Sequence, residues 1–228
     1  MENINNQIGI AGRVYSDFEF SHEVYGEGFY KFDVEIYRLS SVSDILPVTI
    51  SERIIDTTSI TIGSWIYITG QIRSYNSYVE ADRRNRLVLT VFARDIELLE
   101  GGESAVEKSD VNPNDVYLNG FICKPPIYRT TPFGREIADI LLAVNRSYNK
   151  SDYIPCIAWG RNARYAGKLV VGSNIKVWGR MQSRPYQKRF ESGEVLEKTA
   201  YEVSVSKIDH STDSNSSTDS DSDSDTQQ

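Results

Sequence analysis

The sequence contains little cysteine and histidine and no long hydrophobic run. Cys123 and Cys156 are its two cysteines, and neither they nor the two histidines show CxxC or HxxxH spacing. A zinc site is therefore not expected, and the two thiols are expected to be reduced. No apolar stretch reaches the roughly 18 residues of a membrane span, and the N-terminus has no basic run followed by an apolar segment. These absences predict a cytoplasmic protein without metal or cofactor.

Residues that would form a catalytic site are scarce as well. The chain has no GxxxxGK[ST] loop, and residues 113–208 contain no histidine and 8 scattered acids. Metal-assisted phosphoryl chemistry needs clustered carboxylates, and nucleophilic catalysis needs a base beside the nucleophile. We therefore expect no catalytic residues and no enzyme activity.

The net charge of −7 conceals a strong asymmetry along the chain. Residues 113–208 contain 15 Lys and Arg against 8 Asp and Glu, whereas residues 1–100 contain 9 against 15. Residues 209–228 contain 6 acids and no Lys or Arg. A basic segment of this kind is the electrostatic pattern of a module that binds a polyanion.

The two halves of the chain repeat each other. Residues 10–14 (IAGRV) resemble 118–122 (LNGFI), and 34–38 (VEIYR) resemble 142–146 (LAVNR), both at an offset of 108; residues 63–70 (GSWIYITG) resemble 172–179 (GSNIKVWG) at 109. A register held over separated blocks indicates a tandem duplication. We predict a first domain over residues 1–100, a linker over 101–112, a second domain over 113–208 and a disordered acidic tail over 209–228.

Each copy consists mostly of short β-type segments with glycine between them, such as residues 66–72 and 175–181. Residues 161–169 predict a short helix, and residues 52–60 are its expected counterpart. About five strands with one short helix are typical of the OB barrel. The predicted fold is therefore all-β, with two tandem OB-fold barrels; an SH3-like barrel or a sandwich is the alternative.

Five blocks of the second copy carry a family resemblance. They are residues 140–146 (ILLAVNR), 152–160 (DYIPCIAWG), 168–173 (KLVVGS), 175–180 (IKVWGR) and 183–186 (SRPY). In this order and spacing the copy resembles the bacterial and phage single-stranded DNA-binding proteins over most of residues 115–208. The first copy resembles them more faintly. The resemblance implies sequence-tolerant binding of single-stranded DNA in replication, recombination or repair, with a nucleoid-associated location and bases stacked on aromatic side chains.

The resemblance places four aromatic residues at the family's stacking positions, namely Tyr148, Tyr153, Trp159 and Tyr186. The alternative for these four is the barrel core or a subunit interface. Trp178 is equally expected to pack in the core or to stack on DNA, and Phe190 is a further candidate. Eight cations lie among these aromatics and are predicted to hold phosphates, or else to be solvated surface charges: Arg129, Arg135, Arg161, Arg164, Arg180, Arg184, Lys188 and Arg189.

The first copy departs from this pattern. Ser40, Ile45 and Ser51 stand where the second copy has Tyr148, Tyr153 and Trp159. We therefore expect the first barrel to be mainly structural or dimerising. Its auxiliary nucleic-acid contacts would come from Tyr75, Tyr78, Arg83, Arg84 and Arg86, which otherwise form an exposed hairpin.

The resemblance also implies a homodimer with four barrels in all, and an acidic tail that competes with DNA for the basic groove. Family tails usually end in a short hydrophobic tip, which residues 225–228 do not have, so recruitment of replication or repair proteins by the tail is in doubt. An adaptor role in a replisome or primosome is the main alternative function. RNA is an alternative ligand, because stacking alone does not distinguish the sugars.

Overall fold

The computed structural model describes residues 4–38, 42–55, 58–79, 84–108, 112–189, 193 and 195–210. Within these residues the chain forms twelve strands and two short helices. In chain order they are β1 (Asn6–Val14), β2 (Glu19–Val24), β3 (Glu27–Tyr37), β4 (Ser43–Ser51), β5 (Trp65–Val79), β6 (Arg84–Leu98), α1 (Glu103–Lys108), β7 (Asn114–Ile122), β8 (Ile127–Thr130), β9 (Glu136–Arg146), β10 (Lys150–Trp159), α2 (Gly160–Ala166), β11 (Asn174–Arg189) and β12 (Val195–His210).

Each half closes a five-stranded barrel. In the first barrel β1 pairs with β3 and β5, and β4 joins β3 to β6, which returns to β5. β2 extends this ring as a hairpin with β3. The second barrel repeats the ring with β7, β9, β10, β12 and β11, and β8 is its hairpin extension. Alternating Ile, Val and Leu side chains fill both interiors. The prediction of an all-β fold with two tandem OB barrels is confirmed.

The two barrels are joined edge to edge by β1 and β7. These strands run antiparallel, with Ile8 opposite Val116. Because the two residues are one repeat offset apart, a pseudo-twofold axis passes between them. Side-chain hydrogen bonds follow the same symmetry. The Asn6 amide accepts a hydrogen bond from the Ile72 N–H at 2.9 Å and donates one to the Ile72 carbonyl at 2.7 Å. The Asn114 amide makes the same two bonds with Met181, at the same distances. The pairing merges all twelve strands into one sheet.

Two buried carboxylates hold the barrels together across this axis. Asp152 of the second barrel accepts a bond from Arg73 Nη1 at 3.0 Å and from the Ser74 N–H at 2.8 Å, both in the first barrel. Its symmetry mate Asp44 accepts from the Ser183 N–H at 2.7 Å. Each carboxylate side chain is 1% exposed. Buried charges are stable only when paired and hydrogen-bonded, so these contacts fix how one barrel sits on the other.

Gly70 and Gly179 occupy matching β-bulges in the two long hairpins. A Cβ at either glycine would lie 2.2 Å from a backbone carbonyl oxygen, that of Phe92 or that of Ser204. Such a contact is far below van der Waals distance, so the close approach of the two strands requires glycine.

Two details differ from expectation. The helix predicted over residues 161–169 is α2, which ends at Ala166, but residues 52–54 form a turn, so the helix predicted for residues 52–60 is wrong in its described part. Residues 56 and 57 lie outside the described residues. The predicted linker contains the short helix α1. The predicted tail, apart from residues 209 and 210 at the end of β12, lies outside the described residues.

Candidate nucleic-acid interface

The outer face of the second barrel carries an exposed row of predicted site residues. Tyr153 and Trp159 are six residues apart on β10, so their side chains project from the same face of the sheet; they are 46% and 38% exposed. Trp159 lies opposite Ile137 of β9, which lies opposite Arg129 of β8. Residues directly opposite in neighbouring strands share a face. Arg129 is therefore in line with Trp159, two strands away.

The same face continues onto β12 and β11. The Trp159 indole N–H donates to the hydroxyl of Ser204, at 3.3 Å. Ser204 is opposite Arg180 on β11. Arg184 and Tyr186 follow at even spacing from Arg180 and so share its face. The hydroxyl bond fixes the indole plane while leaving the ring partly exposed, which is what a stacking platform requires.

The ends of two hairpins present further aromatic side chains. Tyr148 stands in the turn between β9 and β10, is 93% exposed and has a φ of +64°, followed by Asn149 at +54°. A bulky residue in this left-handed region is strained, and no core packing compensates for it. Phe133, between β8 and β9, is 92% exposed. Sequence reasoning did not include Phe133, although a Pro-Phe-Gly turn flanked by Arg129 and Arg135 was the available signal.

Trp178 has a different environment from the other aromatics. Its ring centroid lies 5.2 Å from that of Tyr117, and Lys207 Nζ lies 4.4 Å from the ring. Trp178 is half-buried whereas Trp159 is exposed, so less of the Trp178 ring is accessible for stacking on a base. Phe190 lies outside the described residues, as do the side chains of Lys188 and Arg189.

Four of the predicted phosphate-binding cations form ion pairs within the chain. Arg129 pairs with Asp139 at 2.9 Å, Arg164 with Glu136 at 3.1 Å and Arg184 with Glu202 at 3.4 Å. The fourth, Arg180, lies 3.6 Å from the buried Asp44, and burial lowers its pKa. In the described part of the chain, Arg135 and Arg161 are exposed and have no ion-pair partner.

These pairs differ in how easily a phosphate could replace the carboxylate. Arg129 and Asp139 are 52% and 41% exposed, and an exposed pair contributes about 0–1 kcal/mol. Such an arginine can exchange a carboxylate for a phosphate at small cost. Arg180 is different, because leaving Asp44 would weaken a buried junction between the barrels.

The two thiols have no reactive environment. Burial raises the pKa of Cys156, whose side chain is 2% exposed, and desolvation also raises the pKa of Cys123. In the described residues no three His, Cys, Asp or Glu side chains come together as metal ligands would. Nor does any helix in this part of the chain have the length and apolar character needed to cross a bilayer.

The closed barrels and this exposed aromatic and basic face define a tandem OB-barrel protein. The wild-type single-stranded DNA binding protein from Thermus aquaticus has the same fold, with a TM-score of 0.71, 18% identity, and coverage of 93% of this chain and 96% of that chain. Residues 113–211 match the single-strand binding protein family.

Two bacterial relatives match part of the chain. The single-stranded DNA-binding protein B of Bacillus subtilis (strain 168) is 37% identical over 84 residues, which are 32% of this chain and 72% of that protein. The single-stranded DNA-binding protein 1 of Staphylococcus aureus (strain COL) is 41% identical over 81 residues, 32% of this chain. The chain spans about half the length of the Staphylococcus protein, namely 48%.

The chain belongs to the single-strand binding protein family. This is a non-enzymatic DNA-binding family, so the prediction that the chain is not an enzyme is confirmed.

Proposed function

We propose that the chain binds single-stranded DNA without sequence preference, mainly through the outer face of the second barrel. The observation that carries the proposal is the row formed by Trp159, Tyr153 and Arg129, with Tyr186 and Arg184 continuing it on β11. Every base has a π-face, so aromatic stacking accepts any sequence, at about 1–3 kcal/mol per base.

The cations of this barrel hold the phosphates in the proposed complex. Arg135 and Arg161 are available directly, and Arg129 and Arg164 exchange their exposed or half-exposed carboxylates for phosphate. The side chain of Arg184 is 55% exposed and contacts phosphate while it keeps its ion pair with the buried Glu202. Lys188 and Arg189 remain predicted phosphate contacts. Arg180 keeps its ion pair with Asp44 and stabilises the junction between the barrels, so it does not contact phosphate. Binding then weakens with salt, because each neutralised phosphate releases counterions.

We further propose that two chains associate to give four barrels and act in DNA replication, recombination or repair in the cytoplasm, at the nucleoid. Support for the assembly comes from the pseudo-twofold junction, which already makes each chain equivalent to a dimer of single barrels. In this proposal the first domain covers residues 1–100, the linker 101–112, the second domain 113–208 and the acidic tail 209–228.

The first test is a fluorescence titration of the three tryptophans with oligo-dT, single-stranded against duplex, at low and high salt. Trp159 faces the proposed site, whereas Trp65 stacks on Tyr37 at 6.1 Å and Trp178 packs on Tyr117. Quenching by the single strand alone, weaker at high salt and largely removed by Trp159→Phe, is the expected result. No quenching and no binding would make the protein-adaptor function the leading one.

Paired substitutions then locate the site. Trp159→Ala together with Tyr186→Ala should weaken binding by about 2–6 kcal/mol, the cost of two stacked bases. Tyr15→Ala is the matched control, because Tyr15 is 50% exposed but lies in the first barrel, away from the proposed face. Equal affinities of the double variant and the control, with both folded, would remove Trp159 and Tyr186 from the site.

A further inference from the structure

The twelve-stranded sheet ends in two edge strands. Its strand order begins with β2 and ends with β8, and each of these strands pairs with one neighbour, β3 or β9. Neither has a second neighbouring strand among the described residues. The outer side of an edge strand presents main-chain N–H and carbonyl groups that can pair with a further strand.

The two edges are repeat mates with opposite charge. We call residues 15–31, which contain β2, the acidic edge, and residues 123–139, which contain β8, the basic edge; they lie 108 residues apart. The acidic edge contains 4 acids and 1 lysine, hence a net charge of −3 with His22 neutral, whereas the basic edge contains 3 cations and 2 acids, hence +1. Both acids of the basic edge already form ion pairs, with Arg129 and Arg164. The two ends of one sheet are therefore electrostatically complementary.

Each edge has two exposed charges at suitable positions. Glu19 and Glu23 stand on β2, and neither forms an ion pair within the described part of the chain. Lys124 precedes β8, and Arg135 lies beyond its other end, where the Arg135 carbonyl accepts a bond from the Thr131 N–H at 2.8 Å. Both cations are exposed and also lack an ion-pair partner in the described residues. Two free carboxylates on one edge thus match two free cations on the other.

Exposed apolar side chains accompany these charges. On β2 they are Phe20 and Val24, 63% and 44% exposed, and on β8 they are Ile127 and Tyr128, 62% and 42% exposed. Pairing of the two strands would remove part of this apolar surface from water. The strands contain 6 and 4 residues, so the contact is small and weak on its own.

We propose that the acidic edge of one copy of this chain docks against the basic edge of the next, with β8 added to the sheet beside β2. In either strand direction, one of Glu19 and Glu23 lies towards Lys124 and the other towards Arg135. Two acidic edges or two basic edges would instead place like charges opposite each other, which is destabilising. The head-to-tail contact leaves an edge free on each copy, so it extends into an open row of molecules.

This contact is separate from the proposed DNA site and requires no DNA. Arg135 is the one side chain that both proposals use. A guanidinium carries five N–H donors, so it can hold a carboxylate of the next copy and a phosphate at the same time.

The test is sedimentation velocity without DNA, at protein concentrations up to about 100 μM, since small interfaces are weak. The sedimentation coefficient of the wild type should rise with concentration beyond that of the homodimer, and less so at high salt. Glu19→Lys/Glu23→Lys and Lys124→Glu/Arg135→Glu each give a chain with two edges of the same sign. Each variant should associate about tenfold or more weakly than the wild type.

An equal mixture of the two variants should regain the association, because each then meets an edge of opposite sign. Asp95→Lys/Glu100→Lys, at exposed positions on and just after β6, which is not an edge strand, changes the net charge as Glu19→Lys/Glu23→Lys does and should associate like the wild type. Amide hydrogen exchange at high concentration should show added protection in β2 and β8 and none in β6.

Three results would overturn the contact: a wild-type sedimentation coefficient independent of concentration, association unchanged in both edge variants, or a mixture that associates no better than either variant alone. Oligo-dT binding by the same samples is a separate measurement. Its absence would contradict the proposed function and leave the contact between the edges standing.

Discussion

The buried carboxylate of Asp152, together with its symmetry mate Asp44, should be the strongest polar contribution to the junction between the barrels. Asp152→Asn keeps the shape and one acceptor for the Ser74 N–H but removes the charge that faces Arg73 at 3.0 Å and Arg146 at 3.7 Å. Removing one partner of a buried pair costs about 3–5 kcal/mol. The two arginine side chains are 21% and 31% exposed, so we expect the lower end, about 3 kcal/mol.

Thermal and denaturant unfolding measure this loss. For a chain of this size about 1 kcal/mol corresponds to about 2–4 °C, so the melting temperature should fall by about 6–12 °C. Asp44→Asn should lower the free energy of unfolding by the same amount within about 1 kcal/mol, because Asp44 is the symmetry mate of Asp152. Asp139→Asn is the control: its partner Arg129 is exposed, and less than about 1 kcal/mol is expected. If Asp152→Asn is no more destabilising than Asp139→Asn, the junction does not depend on these carboxylates.

Three further results follow from contacts described above. Cys156 should not react with a thiol reagent until the protein is unfolded, because burial raises its pKa and blocks access, while Cys123 should react slowly in the native state; fast labelling of both would contradict this. Gly179→Ala should destabilise by about 1–3 kcal/mol, since its Cβ meets the Ser204 carbonyl, and an unchanged denaturation midpoint would show that the bulge can move. Deleting residues 211–228 should tighten oligo-dT binding, most at low salt; a salt-independent change would exclude electrostatic competition.

The repeat was the most informative signal in the sequence. The offset of 108 residues, read from short blocks, is the separation of Ile8 and Val116 at the pseudo-twofold axis. It also pairs Asp44 with Asp152 and Asn6 with Asn114, whose roles correspond in the structure. Strand count and glycine spacing favoured the OB barrel and left an SH3-like barrel or a sandwich as the alternative.

Local propensity explains where the same comparison failed. The helix α2 contains Ala163 and Ala166 on its buried face. The corresponding part of the first copy contains Ile54 and Ile55, which are β-branched and disfavour a helix. The repeat also indicated lost stacking at Ser51. It compared equal positions along one strand and had no access to Phe92, which reaches the same face from a neighbouring strand.

The ion pairs of the site residues could not be read from the sequence either. Arg129 meets Asp139 and Arg184 meets Glu202 because cross-strand register brings them together. Arg180 looked like its neighbours in the sequence but lies against a carboxylate of the other barrel. Such contacts depend on how the halves dock, which no local pattern encodes.

The covalent link across the β1–β7 junction has a consequence for dilute protein. Two separate barrels would meet through this edge with a dissociation constant, and would come apart when the protein is scarce. Here the second barrel is always present at the high local concentration set by the connecting segment. The paired geometry therefore does not vary with the amount of protein, and its loss requires unfolding rather than dilution.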